Sequence, residues 1–309
     1  MKTAFLFPGQ GAQYPGMARD LFDASPAVRD LFTLAADTTG IDVKRLLFEG
    51  TEEELKETIH TQVSVTLANL SSALVLADRG IHAQGAAGFS LGEYAALVET
   101  GVLTAAQVFP LVKLRGEFMS RAAGSLDRSA GDPGMAAVIG LSPEKVDEAL
   151  ASASIADLYG ANYNSPNQVV ISGTAAALAA GIEALKAAGA RRVILLKVSG
   201  PFHSPLLAEA GRSLEEALKS VEFHNPTKAL FSNVTGGLVT TGADAKALAV
   251  RQVTAPVRWT TEEKSLLDAG FTQFIEAGPG AVLAGLWGAF HDATPCHAAG
   301  KLDQIQQIG

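Results

Sequence analysis

A chain of 309 residues with 48% hydrophobic and 18% charged side chains can bury a large core, which excludes intrinsic disorder and suits about two domains. Its net charge of −8 excludes a general nucleic-acid binder, which needs a basic face. The single cysteine, Cys296, excludes an intrachain disulfide and suits the cytoplasm; the histidines and cysteine show no zinc-ligand spacing, and the apolar run within Met1 to Gly9 is too short for a signal peptide.

Thr3 to Phe7 reads as a buried strand that runs into Pro8-Gly9-Gln10-Gly11-Ala12-Gln13. That loop lacks the G-x-G-x-x-G spacing of a dinucleotide turn and the Lys-Ser/Thr of a P-loop. A tight turn presenting backbone amides is the better reading. Helical patterns follow over Ser25 to Thr38 and Glu52 to His60. An apolar helix over Val63 to Arg79 leads to a strand over His82 to Phe89. No run reaches the ~20 continuous apolar residues of a membrane span.

Next comes Gly88-Phe89-Ser90-Leu91-Gly92-Glu93, a G-x-S-x-G sequence opening a helix. A serine on a sharp strand-to-helix turn exposes its hydroxyl beside the first helix amides. The glycines let strand and helix cross where a side chain would clash. Ser90 is therefore a candidate nucleophile for acyl transfer through a covalent ester. The pentapeptide alone also fits an ordinary strand–turn–helix packing site.

Leu103 to Ala122 predicts another helix, with Pro110 marking a late start or a kink. Leu111, Val112, Phe118 and Met119 share one face, and Lys113, Glu117 and Arg121 the other. Arg115 falls on the apolar face. A buried guanidinium needs an anionic partner, because an unpaired internal charge costs several kcal/mol. That partner is either an internal acid or a substrate carboxylate held by the guanidinium fork.

Leu126 to Gly134 reads as a linker. Strands over Met135–Gly140, Asp157–Tyr163, Gln168–Ser172 and Arg192–Val198 alternate with helices over Ser142–Ala151 and Thr174–Ala188. The order β-α-β-β-α-β predicts a ferredoxin-like module inserted into a larger α/β domain. Residues 128–198 form the insert, and 1–127 with 199–309 the discontinuous large domain. His203 stands in Gly200-Pro201-Phe202-His203-Ser204-Pro205 before a helix over Pro205 to Val221, a junction that can hold an imidazole in a cleft. It is the best general-base candidate. His60 and His82 sit at helix ends or loops, and His224, His291 and His297 in polar contexts without a flanking motif. A strand over Ala229–Asn233, a helix over Ala243–Val253, a strand over Phe274–Glu276 and a helix over Ala281–Phe290 complete the pass.

Taken together the chain resembles the malonyl-CoA:acyl carrier protein transacylases. The likeness rests on Phe7-Pro8-Gly9-Gln10-Gly11, Gly88 to Glu93, Arg115-Gly116, Ala161-Asn162-Tyr163-Asn164 and Val198 to Ser204. It continues through Ser232-Asn233-Val234-Thr235-Gly236, Pro256-Val257-Arg258-Trp259 and Gly278-Pro279-Gly280. The resemblance implies a large α/β-hydrolase-like domain with a mostly parallel sheet. It implies Ser90 as nucleophile, His203 as base, and the backbone carbonyl of Gln252 as the group orienting that base. The backbone amides of Gln10 and Leu91 would form the oxyanion hole, and Arg115 would bind the malonyl carboxylate. Gln62 and Asn162 would line the cleft, and Phe202 would crowd the acyl α-carbon. The family carries histidine just before the nucleophile; Phe89 here removes that hydrogen-bond donor.

The expected partners are malonyl-CoA and acyl carrier protein, which brings its own phosphopantetheine. No cofactor, metal, nucleic acid or membrane is expected, and a monomer is. Lys113, Arg121, Arg191, Arg192 and Lys197 are candidates for a basic carrier-docking patch. A polyketide acyltransferase shares every one of these features. A serine esterase or thioesterase shares the elbow, but Arg115, the insert and the lack of a triad acid weigh against it. A non-catalytic carrier scaffold would not need the serine, histidine and arginine together.

Overall fold

In the computed structural model, residues 1–291 and 293–308 are described; the large-domain range expected from the sequence includes residues 292 and 309, which lie outside them. Ten strands form two sheets among these residues. The strands are β1 (Thr3–Phe7), β2 (Gly85–Gly88), β3 (Gly134–Ile139), β4 (Leu158–Ser165), β5 (Gln168–Gly173) and β6 (Arg192–Leu195). β7 (Ala229–Phe231), β8 (Leu238–Val239), β9 (Gln273–Glu276) and β10 (Cys296–Ala298) follow.

The large sheet has the order β10-β9-β1-β2-β7-β8, parallel except for the β7–β8 pair. β1 lies inside it, with Phe7 opposite Gly88 and Leu6 opposite Glu276. Every residue of β1 is buried, as a parallel strand covered by helices on both faces should be. The second sheet, β4-β5-β3-β6, is antiparallel and falls at residues 134–195, within the stretch read as an insert. Its β-α-β-β-α-β sequence and this strand order are those of a ferredoxin-like module. The small sheet is tied to the segment that leads into the helix Trp259–Asp268: Tyr163 N–H donates to the Val257 carbonyl (2.9 Å) and Val257 N–H to the Ala161 carbonyl (2.8 Å).

Several element boundaries differ from those expected, each for a local reason. The break between the Glu52–His60 and Val63–Arg79 helices lies instead at Glu57, so one helix runs from Thr58 to Asp78. The His60 and Thr61 side chains bond back to the carbonyls of Glu54 and Leu55, which lets the new helix start against the old one. This helix is long and apolar enough to cross a membrane, but 83% of its most apolar window is buried within the protein. Its polar residues survive burial by bonding their own backbone, as Thr66 does to the Gln62 carbonyl (2.8 Å) and Ser71 to that of Leu67 (2.7 Å).

The helix carrying Arg115 spans Ala105–Gly124 behind a Thr104–Gln107 capping box, with Pro110 inside it and no late start. β2 stops short of His82 because its partner β1 begins only at Thr3. β6 ends at Leu195, opposite Ala136, after a last backbone bond from Leu196 N–H to the Met135 carbonyl (2.9 Å). The polar context expected for His291 is only one side of it: Nε2 lies 3.4 Å from Glu263 Oε2, while the ring packs against those of Trp287 (4.5 Å) and Phe290 (4.2 Å). Trp259–Asp268, where no element is expected from the sequence, is a helix.

What positions the site is the crossing of β1, β2 and the helix that begins at Gly92. A methyl group on Gly92 would overlap the Phe7 carbonyl, and one on Gly88 would overlap the Gly92 backbone. We expect Gly92→Ala to destabilise the protein by at least ~1–3 kcal/mol, the usual cost of overpacking. Urea unfolding reads this as a lower midpoint; an unchanged midpoint would mean the crossing has slack.

Candidate active site

Ser90 sits between β2 and the helix Gly92–Glu99 with φ 52°, in the left-handed region that a non-glycine residue rarely occupies. Its conformation is held by side chains. The Ser90 N–H donates to Asn233 Oδ1 (2.7 Å), and the Ser90 carbonyl accepts from Gln252 Nε2 (3.0 Å). Asn233 itself is fixed by donating Nδ2 to the Gly88 carbonyl (2.7 Å) and to Glu262 Oε2 (2.8 Å). The elbow is thus anchored through both peptide units that flank the serine.

His203, also at positive φ (57°), places Nε2 2.7 Å from Ser90 Oγ. Its Nδ1 faces the carbonyls of Gln252 (2.9 Å) and Ala255 (3.1 Å). Carbonyls only accept, so Nδ1 carries the proton and Nε2 is left to accept from the serine hydroxyl. Burial pushes the imidazole down to about 4, with the Arg115 charge adding to the effect and the two carbonyls opposing it. The ring is therefore neutral near neutral pH, the form a general base requires.

Arg115 is 1% exposed. Nη1 donates to Gln62 Oε1 (2.7 Å), and Nη2 to Gln252 Oε1 (3.0 Å) and towards Ser90 Oγ (3.4 Å). The guanidinium lies 5.2 Å from the Tyr94 ring centroid. It makes no ion pair with a carboxylate among the described residues, so the internal-acid reading does not hold. All its acceptors are neutral, and Nε has none. The charge is buried, oriented and uncommitted.

These groups line a cleft of about 260 Å³ between the two sheets. Gln10, Gln62, Phe89, Ser90, Arg115, Asn162, Phe202 and His203 all line it. Leu91 and Gln252 do not; Leu91 offers its backbone amide, and Gln252 its carbonyl and its side-chain amide. The amides of Gln10 and Leu91 have no acceptor among the described residues. Phe89 packs edge-on against Trp259, ring centroids 5.5 Å apart, and turns an apolar face to the cleft. The small sheet adds Met135, Asn164, Gln168 and Val170 to the wall.

Four contributors carried no role in the sequence reading: Asn233, Glu93, Glu262 and the side chain of Gln252. Asn233 and Glu93 stand in stretches the reading quoted, and an acid opening an otherwise apolar helix was the available signal for Glu93. Glu262 gave none. In Trp259-Thr260-Thr261-Glu262-Glu263-Lys264 it reads as a solvated face, yet it is fully buried. Burial holds its carboxyl well above the usual range, and the nearby Glu93 adds to this.

The model of the acyl transferase domain family matches residues 4–307. The malonyl CoA-acyl carrier protein transacylase of Bacillus subtilis (strain 168) is 39% identical over 289 residues, 92% of this chain and 89% of that one. A crystal structure of MCAT from Streptococcus pneumoniae superposes with a TM-score of 0.93 at 36% identity, covering 99% of each chain. A malonyl-transacylase solved with its type II PKS acyl-carrier protein superposes equally well, at 0.93 and 35% identity over 99% of this chain and 98% of that one. A match spanning nearly the whole chain, around a serine, a histidine and an arginine that meet in one cleft, places this protein in the malonyl CoA-acyl carrier protein transacylase family of acyltransferases.

Proposed function

We propose that the protein transfers a malonyl group from malonyl-CoA to the phosphopantetheine thiol of acyl carrier protein, through a malonyl ester on Ser90, in support of fatty-acid synthesis. One observation carries this reading. Ser90 Oγ stands 2.7 Å from His203 Nε2 and 3.4 Å from Arg115 Nη2, so a nucleophile, its base and a free cation share one point. Malonyl is the short acyl group whose carboxylate lies only two carbon–carbon bonds from its reacting carbonyl.

In the first half-reaction the Ser90 hydroxyl gives its proton to His203 Nε2 as Oγ attacks the thioester carbonyl. The oxyanion is met by the backbone amides of Gln10 and Leu91; each such donor supplies on the order of 10²–10³ in rate. Collapse breaks the carbon–sulfur bond. The departing CoA sulfur takes the proton from His203. In the second half-reaction the carrier thiol gives its proton to His203 and attacks the ester. Collapse then returns the proton to Ser90 Oγ. Acyl transfer moves no electrons between redox states, so it asks for no redox cofactor.

Arg115 selects for a terminal carboxylate, because a site built for an ion is left with an unpaired charge by acetyl. Phe202 crowds the acyl α-carbon and favours malonyl over its α-methyl relative. For the carrier, Arg191, Arg192 and Lys197 are exposed along β6, whose neighbours Leu196 and Val198 line the cleft. Lys113 is less available, since it donates to the Thr39 carbonyl (2.8 Å).

Mixing the protein with malonyl-CoA should give a malonyl adduct by mass spectrometry, absent in Ser90→Ala. Arg115→Ala should keep acyl transfer yet lose most discrimination between malonyl- and acetyl-CoA; equal falls in both rates would refute the carboxylate grip. The base predicts a pH profile as well. With p-nitrophenyl acetate, an uncharged acyl donor that makes no call on Arg115, acylation of Ser90 should hold its rate as pH falls through 6. The rate should decline only as His203 protonates near about 4. An acid limb at the ordinary histidine value would contradict this.

A further inference from the structure

Glu93 is 4% exposed and lies on the far side of the Gln252 side chain from Arg115. Arg115 Nη2 donates to Gln252 Oε1 (3.0 Å), and Gln252 Nε2 donates to Glu93 Oε2 (2.9 Å). One amide therefore faces a cation with its oxygen and an anion with its nitrogen. Its dipole is aligned by both, and it keeps them from touching. Glu93 Oε2 also accepts from the Asn233 N–H (2.9 Å).

We propose that Glu93 is the distal counter-charge of Arg115, acting through the Gln252 amide, and that binding an acyl group with a terminal carboxylate draws a proton from solvent onto Glu93. The inference rests on the transferase reading above and deepens it. In the free protein one buried cation is balanced by one buried anion at a distance. When a substrate carboxylate reaches the guanidinium, two anions share one cation in a site of low polarity. The anion touching the guanidinium keeps its charge, and the one held off by an amide gives its charge up.

The surroundings of Glu93 support this. Its neighbours with charge or titratable protons are Arg115, Tyr94 beside it, and Glu262 from the helix Trp259–Asp268. Only Arg115 favours the ionised form among them; Asn233, Gln252 and Ser232 add hydrogen bonds. Burial outweighs these and brings the Glu93 carboxyl up to about 7, where a small added repulsion changes its protonation. His203 also sits under the influence of Arg115, so the test must separate the two. Glu93 tunes selectivity without touching substrate. It lets Arg115 be buried without an acid that would occupy the fork.

The test is calorimetry of malonyl-CoA binding to Ser90→Ala protein, which cannot turn over, near neutral pH in two buffers of different ionisation enthalpy. We expect net proton uptake with malonyl-CoA beyond that with acetyl-CoA. Adding Glu93→Gln, which keeps the shape and an acceptor for both donors, should abolish the extra uptake. At pH 9, where Glu93 is otherwise ionised in the free and the bound protein, it should also tighten malonyl-CoA binding on the order of tenfold, as for about one unit of pKa coupling, with acetyl-CoA unchanged. Uptake that persists in the double variant would belong to His203 and would overturn the proposal, as would unchanged malonyl-CoA affinity. Should Glu93→Gln fail to fold, Ser90→Ala alone still decides. Binding that takes up a proton tightens as pH falls, so the malonyl-to-acetyl affinity ratio must rise from pH 8 to pH 6; a flat or falling ratio sinks the idea. If Ser90→Ala binds the two thioesters alike at every pH, the carboxylate grip of Arg115 has failed, a result distinct from malonyl selectivity that does not depend on pH; failure of the transferase reading itself shows separately, as no malonyl adduct on the unsubstituted protein.

Discussion

Taking the Arg115 guanidinium out of water costs several kcal/mol unless its charge is met, and the usual way to meet it is a touching carboxylate. This protein uses neutral acceptors instead: Gln62 on one terminal nitrogen, Gln252 on the other, and the Tyr94 ring nearby. Direct pairing would stabilise the fold and fill the fork that, on the reading proposed above, receives an acyl carboxylate. The arrangement accepts a less stable resting site, and the surrounding architecture follows from it. The helix Thr58–Asp78 brings Gln62, the helix Ala105–Gly124 brings Arg115, and the end of the helix Gly242–Arg251 brings Gln252.

Gln252 links the three reacting side chains. Its backbone carbonyl orients His203, its Nε2 holds the Ser90 carbonyl, and its Oε1 holds Arg115. A carbonyl in place of a triad acid has an electrostatic consequence. An aspartate behind His203 would stabilise the imidazolium and also draw on the Arg115 charge in the same cleft. A neutral carbonyl orients the ring and leaves that charge for the substrate. The imidazole is correspondingly hard to protonate, in keeping with its fall to about 4. A base of such low affinity is suited to passing the proton on quickly to a departing sulfur.

Much of this was legible in the sequence because the relevant constraints are local. Gly88 and Gly92 mark the crossing whatever surrounds them, and Arg115 stands out because its helix face is otherwise apolar. The β-α-β-β-α-β order declared the small sheet. Elements set by distant partners were less legible. The extent of β2 depends on where β1 begins, and the break at Glu57 depends on side chains bonding back to an earlier helix. Glu262 reads as solvent-facing because its helix is polar, and only the packing of that helix against β4 and β7 buries it. Asn233 was visible as a residue and invisible as a function, since what it holds lies 143 positions away in the chain.

Phe89 shows how the site can lose a polar contact without losing its chemistry. The residue before the nucleophile is aimed at the acyl pocket by the same turn that exposes Ser90. Here it leans on Trp259, which is fully buried. An aromatic pair of this kind contributes ~0.5–1.5 kcal/mol beyond its area and fixes the ring edge-on. The wall it makes is rigid and offers the acyl group no donor. On the proposed reading, recognition of a carboxylate then falls more heavily on Arg115 and on whatever sets its charge. In a cleft where the nucleophile, the base and the cation already meet within hydrogen-bonding reach, the rest of the wall need only exclude water and the wrong shape. Phe89, Phe202 and Met119 have side chains suited to that.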